Sequence, residues 1–138
     1  MIRYVVDASA VGPLIFSDEQ DKTIPALLEG LAKGECTVPA HWRFEVANQM
    51  LMGLRRKRTT HAELIGTLAD FATFRVEVDT GSIDRAWSAS FDLAMRHKLT
   101  LYDAAYLELA QRFALCLISF DRALIHAARV DGIEVLTA

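Results

Sequence analysis

The sequence predicts a single-domain α/β protein in which helices flank both faces of a doubly wound, five-stranded parallel sheet. Short apolar runs alternate along the chain with longer segments whose apolar residues recur at helical spacing. The 138 residues suit one domain, and no linker-like, repetitive or low-complexity stretch divides them. In such sheets, ligands bind beyond the carboxyl ends of the strands, where the strand order reverses. We therefore look for chemistry at the residues that follow each strand.

The predicted strands are short and mostly apolar, which is typical of parallel strands buried on both faces. In chain order they are Ile2–Val6, Cys36–Val38, Arg75–Val78, Leu115–Ser119 and Glu134–Leu136. Pro39 stops the second strand because it cannot donate to a neighbouring strand. We expect the first strand to lie beside a strand from the second half of the chain, as in the commonest doubly wound sheets.

The predicted helices are bounded by capping and turn-forming residues. In chain order they are Val11–Phe16, Ile24–Ala32, Ala40–Arg58, His61–Phe74, Ser82–His97, Leu101–Phe113 and Asp121–Arg129. Gly34 ends the second helix. Thr60, with Glu63 three residues later, predicts a capping box at the start of the fourth.

Two of these helices carry a distinct apolar face. On the third helix the face consists of Phe44, Ala47, Met50, Leu51 and Leu54. On the fifth helix it consists of Ile83, Ala86, Trp87, Phe91 and Ala94. We expect Trp87 and Phe91 to lie in the core or at an interface.

The chain is expected to be cytoplasmic, with no membrane partner. The N-terminus has no apolar stretch of signal-peptide length. The longest apolar run, Phe113–Ile118, is far shorter than the roughly 20 residues of a membrane span. Cys36 and Cys116 lie in separate apolar segments, which favours two reduced, buried thiols.

Four acids follow or neighbour the predicted strand ends. They are Asp7, Glu45, Asp103 and Asp121. At one edge of the sheet their carboxylates would repel one another, and a divalent cation removes that cost. Oxygen-only ligands suit Mg²⁺ or Mn²⁺, which can also accept a substrate phosphate. The expected chemistry is in-line hydrolysis of a phosphodiester bond.

Each acid also has a simpler interpretation. Asp7 could cap the segment that follows the first strand, although an aspartate directly after Val5 and Val6 is costly to bury without a partner. Asp103 could complete a capping box with Thr100, and Asp121 could cap the last helix. Glu45 could be solvated, like most helix glutamates.

Net charge argues against a protein that coats nucleic acid. The chain carries 18 acidic and 15 basic residues, a net charge of −3. The four candidate acids account for the whole surplus, so a local nucleic-acid site is compatible with this charge. The 52 % hydrophobic content exceeds what one core requires and indicates apolar surface for a partner.

One basic run, Arg55, Arg56, Lys57 and Arg58, lies at the end of the third helix. Cations are favoured at the C-terminal end of a helix dipole and are usually solvated there. The alternative is contact with an RNA phosphate backbone.

The sequence contains no dinucleotide-binding or P-loop glycine motif, no zinc-ligand spacing and no serine nucleophile elbow.

Several segments are similar to PIN-domain ribonucleases, specifically the VapC toxins of toxin–antitoxin pairs. They are Val5–Ala10, Glu45–Asn48, Leu99–Ala110 and Ile118–Leu124, followed by the Ala127–Ile133 ending. The segment from Tyr102 to Ala110 is the most specific of these. The resemblance covers essentially the whole chain and implies a PIN-like fold over residues 1–138.

The resemblance implies a Mg²⁺-dependent endoribonuclease, with Mn²⁺ able to substitute. Asp7, Asp103 and Asp121 would be the principal metal ligands, directly or through water. Glu45 would bind more loosely or help to position the attacking water.

Supporting roles and partners are implied in the same way. Ser9 and Asn48 would assist the ligands by hydrogen bonding, and Ser119 stands where many relatives have threonine. The implied partners are an RNA substrate, a second copy of the chain and a VapB-type antitoxin whose C-terminal arm covers the acidic groove.

Other functions remain open at this point. A haloacid-dehalogenase-like phosphatase would use Asp7 as nucleophile, but that family needs a second aspartate where this chain has Ser9. A phospho-receiver lacks its expected acidic pair near the first strand. A binding module that retains the fold without activity is disfavoured because all four acids are present.

Overall fold

The computed structural model describes residues 1–136, so the last two residues of the predicted domain lie outside the described residues. Five strands form one sheet, in the order β3-β2-β1-β4-β5, and all neighbouring pairs are parallel. The strands are β1 (Tyr4–Val6), β2 (Cys36–Pro39), β3 (Val76–Asp79), β4 (Cys116–Ile118) and β5 (Val135–Leu136). The predicted doubly wound α/β fold, flanked by helices, is confirmed.

A short 3₁₀ turn, Ala8–Val11, and eight α-helices connect the strands within residues 1–136. The helices are α1 (Gly12–Ile15), α2 (Ile24–Lys33), α3 (Trp42–Arg55), α4 (His61–Phe71), α5 (Gly81–Asp84), α6 (Ala89–His97), α7 (Leu101–Phe113) and α8 (Arg122–Val130). None of these helices has the length and apolarity needed to cross a membrane.

The central strand β1 lies between β2 and β4, which confirms the expected pairing with the second half of the chain. Val5 pairs with Leu117 of β4, and the Asp7 backbone N–H continues the pairing by donating to the Ile118 carbonyl at 2.9 Å. Val5 and Val6 are fully buried. This pairing brings the residues after β1 and the residues after β4 to the same edge of the sheet.

Helix α2 lies very close to the sheet at Gly30. A Cβ atom at this position would lie 3.1 Å from Cys36 Sγ and 3.3 Å from the Tyr4 ring. A side chain at this position would require its neighbours to shift by a few tenths of an ångström, so the close approach favours glycine. Gly34 ends the helix with a positive φ of 73°, as its position in the sequence predicts.

An ion-pair cluster fixes the far end of α7 to β3. Arg112 makes a bidentate contact with Asp79, at 2.6 and 3.1 Å, and also bonds to Glu108 one turn earlier. The Arg112 hydrogen bonds hold the pKa of the Asp79 carboxyl below its usual value. Because Glu108 and Asp79 are largely shielded from solvent, the guanidinium offsets two shielded negative charges, and Arg85 Nε also lies 3.6 Å from Glu108 Oε1.

The apolar face predicted for the third helix is only partly correct. The side chains of α3 that are buried are Trp42, Val46 and Met50, together with Gly53. Phe44 is 81 % exposed, and the face is rotated from the predicted one. The helix carries apolar side chains on both its buried and its exposed faces. Helical spacing alone therefore does not indicate which of these faces packs against the core.

The single helix predicted over Ser82–His97 is wrong. Residues 85–88 form turns that separate α5 from α6, and Ala86 and Trp87 therefore do not share a helical face with Phe91. Trp87 is 94 % exposed, and Ile83 and Phe91 are also exposed. The apolar residues of this segment, Ile83, Trp87 and Phe91, therefore lie on the surface, where no helical spacing is required.

Candidate metal centre

One open cavity at the carboxyl edge of the sheet contains all four candidate acids, and its volume is about 520 Å³. We call these four carboxylates the acidic cluster: Asp7, Glu45, Asp103 and Asp121. They come from the ends of β1 and β4, from the first turn of α3 and from the first turn of α7. The remaining wall is formed by Ala8, Ser9, Glu19, Asn48, Gln49 and Phe120.

Asp7 is the deepest member of the acidic cluster and is 4 % exposed. Its Oδ2 accepts hydrogen bonds from Ser9 Oγ at 2.6 Å and from Ser119 Oγ at 2.7 Å. The two serines in turn accept from the backbone N–H groups of Phe120 and Asp121. Each hydroxyl proton is therefore committed to Asp7, and the carboxylate is held in one orientation. Its side chain does not cap the following 3₁₀ turn.

Asp121 and Asp103 combine capping geometry with a place in the cavity. Asp121 Oδ1 accepts from the Leu124 N–H at 3.0 Å and so caps α8. Thr100 caps α7 by accepting from the Asp103 N–H at 3.1 Å, a bond that uses the backbone of Asp103 and not its carboxylate. Asp121 therefore caps a helix and also borders the cavity, whereas the carboxylate of Asp103 takes no part in the observed cap.

Glu45 is not a freely solvated helix glutamate. Its Oε1 accepts a 2.6 Å hydrogen bond from the hydroxyl of Tyr106 on α7, and His41 Nε2 lies 3.4 Å from the same oxygen. Tyr106 is absent from the site residues predicted from the sequence. The available signal was its position three residues after Asp103, which places both side chains on one face of α7.

Burial and mutual repulsion raise the pKa values of two members of the acidic cluster. Burial raises the pKa of Asp103 to about 6, and the neighbouring charges of Asp7, Asp121 and Glu45 contribute to that rise. Burial also raises the pKa of Asp7, against the lowering effect of its bonds to the two serine hydroxyls. The site therefore concentrates negative charge at an electrostatic cost.

The donor set fits a hard, hydrated divalent cation. Within residues 1–136, no three acidic, histidine or cysteine side chains are close enough together to hold an ion by direct contact alone. Mg²⁺ commonly keeps several water ligands and binds one or two carboxylates directly. An open, all-oxygen cavity with excess negative charge suits that mode of binding, and a positive ion would remove the repulsion that raises the pKa of Asp103.

Asn48, expected to support the ligands by hydrogen bonding, is an exposed part of the cavity wall. Its neighbour Gln49 makes the observed contact there, because its Nε2 donates to the Ala8 carbonyl at 2.6 Å. Gln49 thus ties α3 to the turn after β1. No sequence pattern indicates this contact, because it depends on how α3 packs on that turn.

One residue of the basic run, Arg58, is paired with acidic side chains. Arg58 bonds to Glu19 at 2.8 Å and to Asp18 at 3.1 Å, and its guanidinium lies over the Phe16 ring at 4.0 Å. These contacts give Arg58 a structural role and reduce its availability for phosphate.

The other three cations, Arg55, Arg56 and Lys57, are exposed. Arg56 lines a hollow of about 250 Å³. This hollow adjoins the acidic cavity, because both contain Glu19, Asn48 and Gln49.

The fold and the site together define an α/β protein with an acidic, cation-compatible cavity at the carboxyl edge of a parallel sheet. The PIN domain family model matches residues 4–130, and the chain belongs to this family. The match confirms the resemblance to PIN-domain ribonucleases of the VapC type and, with it, the expected enzyme class, a nuclease.

Individual relatives are similar over nearly their full length. Ribonuclease VapC3 of Pyrobaculum aerophilum is 28 % identical over 123 residues, which cover 89 % of this chain and 92 % of that protein. The crystal structure of PAE2754 from the same organism matches with a TM-score of 0.67 at 23 % identity, over 91 % of this chain and 86 % of that one. A toxin–antitoxin complex from Klebsiella pneumoniae matches with a TM-score of 0.59 at 22 % identity, over 97 % and 96 %. The two structural likenesses establish the fold.

The raised pKa of Asp103, about 6 against an ordinary 3.8, predicts a pH-dependent stability in the absence of metal. The folded protein holds this proton more tightly than the unfolded chain, so the contribution of Asp103 to the free energy of unfolding should fall as pH rises from about 4 through 6. Asp103→Asn should therefore stabilise the metal-free protein at pH 7, by about 1–2 kcal/mol after allowance for partial solvent exposure. The difference should vanish near pH 4.

Urea unfolding in the presence of a chelator, at several pH values, measures this effect. Asp92→Asn, which removes an exposed carboxylate on α6, is the matched control and should leave the pH dependence unchanged. An Asp103→Asn variant less stable than wild type at pH 7 would contradict the electrostatic interpretation.

Proposed function

We propose that this protein is a Mg²⁺-dependent endoribonuclease and the toxin of a VapBC-type toxin–antitoxin system, acting on RNA in the cytoplasm. The observation that carries the proposal is the convergence of the four acids of the acidic cluster on one open cavity. Membership of the PIN domain family and the likeness to a ribonuclease of the VapC type support it.

The proposed metal ligands are Asp7, Asp103 and Asp121, with Glu45 bound more loosely. When bound, the ion lowers the pKa of a water molecule and neutralises charge that develops on a phosphate. Mn²⁺ has similar ligand preferences and would substitute.

The protein side chains have separate tasks in the proposed reaction. Ser9 and Ser119 fix the Asp7 carboxylate through Oδ2 and leave Oδ1 for ligation. Glu45, held through Oε1, would orient a water molecule with its other oxygen. The water oxygen loses a proton to solvent as it attacks phosphorus, the bond from phosphorus to the leaving ribose oxygen breaks, and that oxygen takes up a proton from solvent.

Asp7→Asn tests the site, because asparagine keeps the shape and can still accept the serine hydrogen bonds but carries no charge. We expect RNA cleavage to fall by at least about 100-fold and Mn²⁺ to lose its protection against thermal unfolding. The measurements are cleavage of total RNA with mapping of the new ends, and melting curves with and without Mn²⁺. Asp92→Asn is again the control, and wild-type cleavage by Asp7→Asn would refute the site assignment.

A VapB-type antitoxin is the proposed protein partner, supported by the toxin–antitoxin complex among the structural relatives. Expression of this chain should stop growth, and co-expression of a small reading frame beside its gene should restore it. Asp7→Asn should not inhibit growth in either case. Growth inhibition by that variant would separate toxicity from the acidic cluster.

We also propose a homodimer, formed through the exposed surface of α5 and α6. Ile83, Trp87 and Phe91 are large apolar side chains in contact with solvent, an arrangement that favours an interface. Sedimentation should show a dimer, and Trp87→Ser should shift it towards monomer. Ile65→Ser, at an exposed aliphatic residue on α4, is the control. A monomeric wild type would rule the interface out.

Arg55, Arg56 and Lys57 are the proposed RNA-backbone contacts, because all three are exposed and Arg56 lines the hollow that adjoins the cavity, while Arg58 is paired with acids. Replacing all three by alanine should raise KM and reduce the salt dependence of RNA binding, by about 0.7 in the log–log slope for each phosphate that the variant no longer neutralises. Arg75→Ala, at an exposed arginine outside the run, should leave the slope unchanged. An unaltered slope in the triple variant would make the run a solvated helix end.

A further inference from the structure

Tyr106 is a fully buried tyrosine of α7 whose hydroxyl extends to a carboxylate on another helix. We propose that Tyr106 is a positioning residue that holds Glu45 towards the cation site and fixes its separation from Asp103. The inference rests on the proposed function, because it assigns Glu45 a role in cation and water binding. It concerns a residue that touches neither substrate nor metal.

The hydrogen bond opposes the electrostatic force on Glu45. Glu45, Asp7 and Asp103 line the same cavity, so their like charges repel one another across it. A glutamate on a helix surface has several rotamers, and repulsion favours those that point to solvent. The 2.6 Å bond from the Tyr106 hydroxyl stabilises a rotamer that remains in the cavity wall.

His41 contacts the same oxygen of Glu45 that accepts the bond from Tyr106. Its ring packs edge-on between Tyr102 and Tyr106, with ring centroids at 5.4 and 5.2 Å. Its Nε2 lies 3.1 Å from the Tyr102 carbonyl oxygen and 3.4 Å from Glu45 Oε1. These contacts leave Oε2 as the oxygen of Glu45 that can serve an ion or a water molecule.

Helix α7 gives the bond its geometric significance. Asp103 and Tyr106 lie about one turn apart on this helix, so the helix carries one carboxylate directly and holds another through a hydroxyl. The Tyr106 ring is fully buried, and its hydroxyl cannot move without displacing neighbouring core residues. Tyr106 therefore fixes the position of Glu45, a side chain of α3, relative to α7.

Tyr106→Phe removes the hydroxyl and keeps the buried ring. For the full-length protein we expect Mn²⁺ affinity, measured by titration calorimetry, to fall by about 10- to 100-fold, the effect typical of removing a hydrogen-bond partner of a metal ligand. At saturating Mn²⁺, kcat for RNA cleavage should remain lower than wild type, while KM for RNA should change by less than about twofold. Tyr102→Phe, which removes an exposed hydroxyl one helical turn away, should change none of the three quantities: Mn²⁺ affinity, kcat and KM.

A double-mutant cycle separates positioning from a general effect on packing. In the Glu45→Ala background, Tyr106→Phe should cause no further loss of Mn²⁺ affinity, because the hydroxyl no longer has a carboxylate to hold. Equal losses in both backgrounds, or an unchanged affinity in the single variant, would overturn the inference. A loss fully explained by a lower melting temperature would also overturn it.

The cycle also distinguishes this inference from the proposed function. If wild type binds Mn²⁺ and cleaves RNA while Tyr106→Phe behaves like wild type, the positioning role alone fails. If wild type neither binds Mn²⁺ nor cleaves RNA, the proposed function fails, and with it the premise of this role.

Discussion

The burial of Asp7 at the junction of β1 and β4 is the constraint on which the rest of the site depends. A charged carboxylate directly after two fully buried valines carries a large desolvation cost unless it is hydrogen-bonded. Ser9 and Ser119 meet that requirement from the two strand ends, and each is itself fixed by a backbone N–H of the loop after β4. The strand pairing that builds the sheet therefore also builds the base of the cavity.

The acidic cluster lowers the stability of the protein at the place where we propose a cation site. Burial, together with the neighbouring charges of the other three carboxylates, raises the pKa of Asp103 to about 6, so the charged form of this residue reduces the free energy of unfolding when no cation is bound. The far end of α7 has the opposite arrangement, in which Arg112 neutralises Asp79 and Glu108. At one end of the helix the negative charges are paired with an arginine. At the other end the carboxylates of the acidic cluster face one another, and there we propose that a cation binds.

The sequence predicts those features that depend on local chemistry or on strand order. The five strands follow from short apolar runs, and the acids at their ends follow from the rule that parallel strands share a carboxyl edge. The break at residues 85–88 is not predicted, because an apolar repeat is produced equally by a core face and by an exposed patch. The contacts of Gln49, Arg58 and Tyr106 escape prediction because each joins segments distant in sequence.

Because α7 is buried, it can hold Asp103 and Tyr106 in fixed positions although the cavity beside them is open to solvent. Every residue from Ala104 to Ala110 is buried, so this helix contacts protein on all sides and has little freedom to shift. This stretch lies within Tyr102–Ala110, the segment on which the resemblance to PIN-domain ribonucleases chiefly rests. Asp103 lies just before this buried stretch and borders the cavity, and Tyr106 lies within the stretch. The acidic cluster is thus held in place by the core and not by its own mutually repulsive members.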